Sequence, residues 1–237
     1  MAVLNKQAPA RAIPALARST VGKKAVMAVT GGILVLFLLG HMAGNLKVFL
    51  GAQDFNHYAG WLRTIGEPAL PRRWFLSGTE IVLTVSVVLH MWSAISLARK
   101  AGQARPVKYQ ARPKAGADRY ATHVMRYGGI VILLFVIWHL LDLTFGAVNP
   151  RGGDATAYDK VIADFAPSRW YITLFYVVAV IMVGLHLRHG VRSAFQTLGL
   201  ASRRSYAAYN ALAGAVTVLI VAGFLAVPLS VTFGWVS

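Results

Sequence analysis

The chain has 237 residues, of which 57% are hydrophobic and only 14% are charged, and its formal net charge is +16. This balance excludes an ordinary soluble globular domain and makes the lipid bilayer the first solvent to consider. The chain contains no cysteine, which excludes a disulfide framework, a thiolate zinc site and a Cys-ligated cluster, so any redox centre needs other ligands.

Five apolar stretches follow an N-terminal tail, and each is long enough to cross a bilayer, since a spanning helix needs about 20 apolar residues. The predicted helices cover residues 23–49, 74–99, 122–148, 169–193 and 205–234. Residues 1–22 are predicted to be a cytoplasmic tail and residues 23–237 one transmembrane domain. The first outer loop is predicted to contain a short interfacial helix. The sequence therefore predicts an all-α integral membrane bundle of five transmembrane helices.

Basic residues alternate between the connections of this predicted bundle. Most of them lie in the N-terminal segment, the second loop and the fourth loop, whereas the first and third loops mix bases with acids. By the positive-inside rule, the N-terminus is cytoplasmic and the C-terminus lies outside. Trp74, Trp170 and Trp235 then fall at the outer ends of their helices, where indoles prefer to lie. Topology thus explains the positive charge, and nucleic acid is not predicted as a partner.

One histidine lies inside each of the first four predicted helices. His41, His90, His139 and His186 are spaced 49, 49 and 47 residues apart and have apolar neighbours. At ~1.5 Å per residue, His41 and His139 lie ~25 Å and ~20 Å from the nearest cytoplasmic bases of their helices. His90 and His186 each follow an outer tryptophan by sixteen residues, or ~24 Å. Two histidines therefore belong to the outer half of the membrane and two to the inner half.

Two histidines at each of two depths suit two pairs of axial ligands better than one four-histidine metal centre. A haem iron takes one ligand above and one below its ring, from helices that face each other. The pattern predicts an outer, distal haem between His41 and His139 and an inner, proximal haem between His90 and His186. Both are of the b type, since no Cys-x-x-Cys-His attachment is present. In the alternative interpretation, each histidine hydrogen-bonds to a neighbouring helix and binds no haem.

Two carboxylates interrupt the predicted helices, and a third acid lies in the first outer loop. An intramembrane carboxylate is by default a candidate functional group. Asp142 follows His139 by three residues and shares its helix face, although a solvated helix end is the competing interpretation. Glu80 lies about two turns into the second helix, where an interhelical hydrogen bond is favoured, and Glu67 precedes that helix. All three acids lie on the predicted outer side.

Several short motifs occur together between residues 19 and 200. They are Gly22-Lys23-Lys24-x-x-Met27-Ala28-x-Thr30-Gly31, His41-x-x-Gly44-Asn45-Leu46, Phe55-Asn56-x-Tyr58, Trp138-His139, and His186-x-x-x-Gly190 with Gly199. In this combination the chain resembles the cytochrome b membrane anchor of succinate:menaquinone oxidoreductases and quinol:fumarate reductases, in its single-chain, five-helix, dihaem form. His189 lies one turn from His186, and periodicity alone does not separate them. In the family the ligand is the histidine four residues before the glycine, which favours His186.

The resemblance implies a complex in a bacterial cytoplasmic membrane, with two soluble subunits on the cytoplasmic face. These partners are a flavoprotein with covalent FAD and an iron–sulfur protein. The chain itself has no Gly-rich dinucleotide motif and no Cys cluster, so it would carry electrons and bind menaquinone without oxidising succinate. Asp142, Glu67 and Glu80 are then the candidates for quinone or proton binding. A second quinone site at the cytoplasmic side, near Lys23 and Lys24, stays open.

One residue departs from the family that the chain resembles. Some dihaem fumarate reductases carry a Glu two residues before the fourth ligand for transmembrane proton transfer, and here that residue is Gly184. Two alternative functions remain. One is a haem-free structural anchor of the same complex, and the other is a dihaem cytochrome b subunit of another quinone-linked dehydrogenase.

Overall fold

A computed structural model describes residues 19–104, 117–200, 202 and 204–237, and for 117–124 it describes the backbone only. The predicted tail before residue 19 and most of the second loop lie outside the described residues. The described chain is helical, without strands, and its α-helices are α1 (Thr20–Asn45), α2 (Ala52–Trp61), α3 (Trp74–Gln103), α4 (Ala117–His139), α5 (Ala157–Asp164), α6 (Trp170–Thr197) and α7 (Tyr206–Thr232). A 3₁₀ turn, Leu46–Leu50, extends α1, and a π-helical turn, Leu140–Thr144, extends α4.

Among the described residues, five helical segments are long and apolar enough to cross a membrane, which confirms the predicted all-α class with five spanning helices. They are Thr20–Leu50, Trp74–Gln103, Met125–Thr144, Pro167–Thr197 and Tyr206–Thr232. Large apolar side chains on their outward faces are exposed, as lipid-facing residues are: Leu36 is 71% exposed and Val218 is 68% exposed.

The end of the bundle that carries Trp74 and Trp170 is the one predicted to face outward. It is called the outer end, and the opposite end is the inner end.

Two short helices lie in the connections at the outer end. The expected helix of the first outer loop is α2, whereas α5 in the third loop was not predicted. Thr156 caps α5: its hydroxyl accepts from the Asp159 backbone N–H and donates to the Asp159 carboxylate. The Asn56 side-chain oxygen accepts from the Tyr158 backbone N–H, at 3.1 Å, and so joins α2 to α5. The α4 segment ends with its π turn at Thr144, four residues before the predicted 148, because a tight turn follows.

Helix packing leaves two gaps between the spans. Helix α6 packs against α7, α1 and α4, and α1 also packs against α3 and α7. Among the described residues, α1 and α4 make at most slight backbone contact, and so do α3 and α6. Each of these two loosely apposed pairs of helices carries one histidine on either side. The packing therefore leaves room between the histidine-bearing helices.

Gly184 is buried where α6 meets α7. A Cβ atom at this position would lie 2.5 Å from Val221 Cγ2 on α7, so the absence of a side chain allows the two helices to approach. The position at which some fumarate reductases carry a Glu thus has no room for one here. The missing Glu is explained by helix packing.

Replacing Gly184 with alanine is expected to destabilise the bundle by about 1–3 kcal/mol, because the new methyl group overpacks the interface with Val221. Gly214→Ala on α7 is the matched control, since a Cβ atom there meets nothing within 4 Å. It should be neutral or slightly stabilising. The measurement is the thermal unfolding midpoint of the purified protein in detergent. Equal midpoints for the two variants would contradict this account of the α6–α7 interface.

Candidate functional site

The first pair of rings lies toward the outer end, between α1 and α4. The ring centres of His41 and His139 are 5.8 Å apart, and their planes cross at 81°. Phe37 stacks on His41 at 5.2 Å, and Phe224 of α7 lies 5.7 Å from it. Aromatic side chains thus hold the His41 ring in place while it faces His139.

The second pair lies between α3 and α6. The ring centres of His90 and His186 are 6.2 Å apart, with planes at 57°. His90 Nδ1 lies 3.1 Å from the Met27 carbonyl oxygen on α1, which fixes Nδ1 as the N–H and leaves Nε2 with its lone pair. A Cβ atom at Gly31 would lie 3.2 Å from His90 Cε1, so a glycine lets this ring sit against α1. His186 Nδ1 is buried without a hydrogen-bond partner.

The two pairs occupy different levels of the bundle. On α1, Gly31 contacts the inner pair and His41 belongs to the outer pair, ten residues or ~15 Å further along the helix. On α6, Tyr176 contacts His139 and lies ten residues before His186. Two helices therefore give the same separation of ~15 Å.

The geometry fits two metal ions, each between two imidazoles. A metal–imidazole bond is about 2 Å long and the ring centre lies about 1 Å beyond the nitrogen, so imidazoles on opposite sides of one metal have centres about 6 Å apart. The observed separations of 5.8 and 6.2 Å match this value. The described residues contain no group of three or more possible metal ligands. The loosely apposed helices beside each pair could admit a flat macrocycle, so the residues present fit haem.

A buried polar cluster adjoins His139 at the outer end. Asp142, in the π turn, is fully buried: its Oδ1 accepts from Asn149 Nδ2 at 3.0 Å and its Oδ2 from the Tyr176 hydroxyl at 3.2 Å. The Tyr176 hydroxyl also lies 3.5 Å from His139 Nδ1. Burial excludes the solvated helix end that competed as an interpretation of Asp142. Tyr176 connects this carboxylate to a candidate metal ligand.

Asp164, the last residue of α5, is a second fully buried acid in the cluster. Its Oδ1 accepts from Arg169 Nη2 at 2.9 Å, and its carboxyl group is within hydrogen-bonding reach of Asp142. Burial, together with the neighbouring Asp142 charge, raises the pKa of Asp164 to about 7, although Arg169 opposes the shift. Burial and the neighbouring carboxyl group therefore both favour the protonated form of Asp164.

A family model described as the succinate dehydrogenase/fumarate reductase transmembrane subunit matches residues 103–225, just over half of the chain. The chain belongs to this family. The match includes His139, His186 and the Asp142–Asp164 cluster, and it begins after His41 and His90. Searches of curated proteins and of solved structures give no match. As a member of the family, the chain is a multi-pass membrane subunit that associates with the other subunits of an oxidoreductase complex.

Glu80 and Glu67, the other two predicted acids, lie away from the four candidate ligand histidines. Glu80 is exposed and pairs with Arg73, 3.6 Å away, just before its own helix. The expected interhelical hydrogen bond of Glu80 is therefore wrong: α3 packs against α1, and Glu80 points off that interface. Glu67 is exposed in the first outer loop. Of the three predicted acids, the structure brings only Asp142 to a candidate ligand.

The sequence analysis missed Asp164 and Tyr176. The signal for α5 was present, since Thr156 and Asp159 have the spacing of a helix N-cap. Tyr176 lies six residues after Trp170 within an apolar run, where it resembles any interfacial aromatic residue. Only the folded chain shows that its ring packs against Phe165 at 4.8 Å and places the hydroxyl between His139 and Asp142.

A groove of ≈ 290 Å³ lies on α3 at the inner end. This is the end at which the sequence analysis allowed a second quinone site. It is lined by Trp92, Ile95, Ser96, Arg99, Lys100 and Gln103. Lys23, on α1, is buried, donates to the Ser96 hydroxyl and lies over the Trp92 ring at 5.1 Å. Lys23 is thus engaged between two helices beside this groove.

Proposed function

We propose that the chain is the electron-transferring membrane anchor of a bacterial succinate:menaquinone oxidoreductase in the cytoplasmic membrane. His41 and His139 hold one b haem, and His90 and His186 hold a second. The observation that carries the proposal is the pair of ring separations, 5.8 and 6.2 Å, across helices that are not packed together. Haem would supply one-electron carriers at two levels of the membrane.

The residues around each pair support the assignment of ligands. Met27 accepts from His90 Nδ1, and Tyr176 lies beside His139 Nδ1, so both rings keep Nε2 for the iron. A haem-free anchor has no need for imidazoles facing each other across two gaps. His186, rather than His189, is the fourth ligand because its ring faces His90.

Menaquinone exchange is assigned to the outer end, near Asp142. Quinone reduction takes up protons as well as electrons, so its site needs a proton-exchanging group close to the electron carrier. Asp142 is connected to His139 through one tyrosine hydroxyl, whereas Glu67 and Glu80 are exposed. The groove on α3 beside Lys23 is the alternative position at the inner end.

The partner subunits are a flavoprotein with covalent FAD and an iron–sulfur protein, docked on the cytoplasmic side. Haems held by His90 and His186 and by His41 and His139 would supply one-electron carriers between the iron–sulfur protein and menaquinone, in either direction of flux. Ten residues of helix separate the two levels by ~15 Å. The anchor binds neither succinate nor fumarate, because the dicarboxylate chemistry belongs to the flavoprotein.

Affinity purification of the chain from membranes tests the proposed complex. We expect a flavoprotein subunit whose flavin stays attached after denaturation, together with an iron–sulfur subunit, in equal amounts with the chain. Membranes from cells with an untagged chain are the control for non-specific capture. A molybdenum or nickel subunit in place of the flavoprotein would instead assign the chain to another quinone-linked dehydrogenase.

A further inference from the structure

The carboxyl groups of Asp142 and Asp164 come from different elements and meet in a fully buried space. Three of their four oxygens have donors: Asn149 and Tyr176 donate to Asp142, and Arg169 donates to Asp164. The fourth, Asp164 Oδ2, is buried without a hydrogen-bond donor. A buried acceptor is costly unless it is paired, so this oxygen needs a proton.

The charges around the pair do not balance two carboxylates. Arg169 is the cation that contacts Asp164, and its side chain is 23% exposed. Lys160 is buried on the same helix as Asp164, but its ammonium group donates to the Gly153 carbonyl oxygen at 2.9 Å. Two neighbouring carboxylates, of which only one contacts a cation, repel each other in a buried site. A single proton shared by the pair removes this repulsion and supplies the missing donor.

We propose that Asp142 and Asp164 together form a binding site for one exchangeable proton, and that Tyr176 couples the occupancy of this site to the redox state at His139. The proton-binding site stands on the carboxyl pair alone, whereas the coupling to His139 rests on the proposed function. The proton lies on Asp164 Oδ2 and is donated to Asp142. It exchanges with water at the side of the pair where the Arg169 side chain is partly exposed, while Arg169 itself stays charged.

The groups that face Asp164 from the neighbouring elements are few. The π turn contributes Asp142, α6 contributes Tyr176, and the segment before α6 contributes Arg169. Helix α7 contributes Thr232, which donates to the Phe165 carbonyl oxygen, and its tyrosines Tyr206 and Tyr209 lie at its other end. Asp164 and His139 are separated by Asp142 and Tyr176. The two carboxyl groups therefore share one small site in which Arg169 is the cation that contacts Asp164.

The coupling conserves charge at the outer end. Reduction of a haem held by His41 and His139, by one electron from the iron–sulfur partner, would remove one positive charge from this level. The carboxyl pair then binds one proton from water, which restores that charge. When the electron leaves for menaquinone, the pair releases its proton. Proton affinity is thus higher in the reduced state than in the oxidised state.

Infrared difference spectra of the purified complex test the proton site directly. Between about pH 5 and about pH 9, we expect a protonated carboxyl C=O band that disappears with a midpoint near 7. This band should be absent from Asp164→Asn, in which the amide oxygen can still accept from Arg169. Asp154→Asn is the matched control, because Asp154 is an exposed acid in the same outer loop, and it should retain the band. Absence of such a band from the unmodified complex overturns the proposal without reference to any variant.

Redox titration tests the coupling separately. We expect the midpoint potential of the outer haem to fall as pH rises through about 7, while that of the inner haem changes little. Tyr176→Phe keeps the aromatic packing and should reduce the pH dependence by at least about half, while the carboxyl band stays. An unchanged slope in Tyr176→Phe would overturn the coupling. Absence of haem would overturn the proposed function but leave the infrared result to decide the proton site.

Discussion

Replacing His186 with alanine is expected to remove the inner haem and leave the outer one, so that the haem content falls from about two to about one per chain. His186 faces His90 at 6.2 Å between ring centres, and no other imidazole is in ring contact with His90 among the described residues. An iron with one axial imidazole on α3 alone would lose its ligand on the α6 side. The measurement is haem content by pyridine haemochrome, together with potentiometric titration of the remaining haem.

His189→Ala is the matched control for this substitution. His189 lies one turn further along α6, ~5 Å from His186 along the axis, and is half-buried near Arg192. We expect both haems to persist in this variant, with at most a shifted potential of the inner one. If His189→Ala loses the haem and His186→Ala keeps it, the register of α6 in the proposed site is wrong.

Replacing Asp142 with asparagine is expected to slow electron exchange with menaquinone by about 100-fold, because proton transfer by a positioned group contributes at least this much. The fold should be retained. The oxygen of the new asparagine side chain can accept from Asn149 or Tyr176. Its NH₂ group can donate to Asp164 Oδ2, for which the unmodified structure shows no donor. The measurement is the rate of menaquinone reduction by succinate in the purified complex, beside haem content and succinate oxidation with an artificial acceptor.

Glu80→Gln is the control for Asp142→Asn, since Glu80 is exposed and paired with Arg73. It should leave menaquinone kinetics, haem content and succinate oxidation unchanged. Unchanged menaquinone kinetics in Asp142→Asn would move the working quinone site to the groove on α3 at the inner end. A loss of both haems would instead give Asp142 a structural role.

The five spans are predictable from the sequence because a bilayer leaves the backbone only one local solution, a continuous helix. Their depth is predictable as well, since each residue adds ~1.5 Å. Counting along the helices placed His41 beside His139 and His90 beside His186, and the structure brings the same rings together. Haem ligation itself stays a prediction.

The acid cluster shows what the sequence could not supply. Asp164 follows Asp142 by 22 residues and belongs to a short helix in a loop, so no local period links the two. Their meeting depends on how α5 docks on α2 through Asn56 and Tyr158. The rotation of each helix about its axis was not predictable either. The polar residues of α3 are spread around the helix without a preferred face, so the sequence did not show that Glu80 points away from α1.

Reduced-minus-oxidised difference spectra of the purified complex, combined with haem and protein quantitation, test the central claim most directly. The proposed function predicts b-type bands from about two haems per chain, separable into two components by redox titration. His139→Ala and His90→Ala should each remove a different component. One haem per chain, or none, in the unmodified complex would contradict the assignment of His41, His90, His139 and His186 as two pairs of axial ligands.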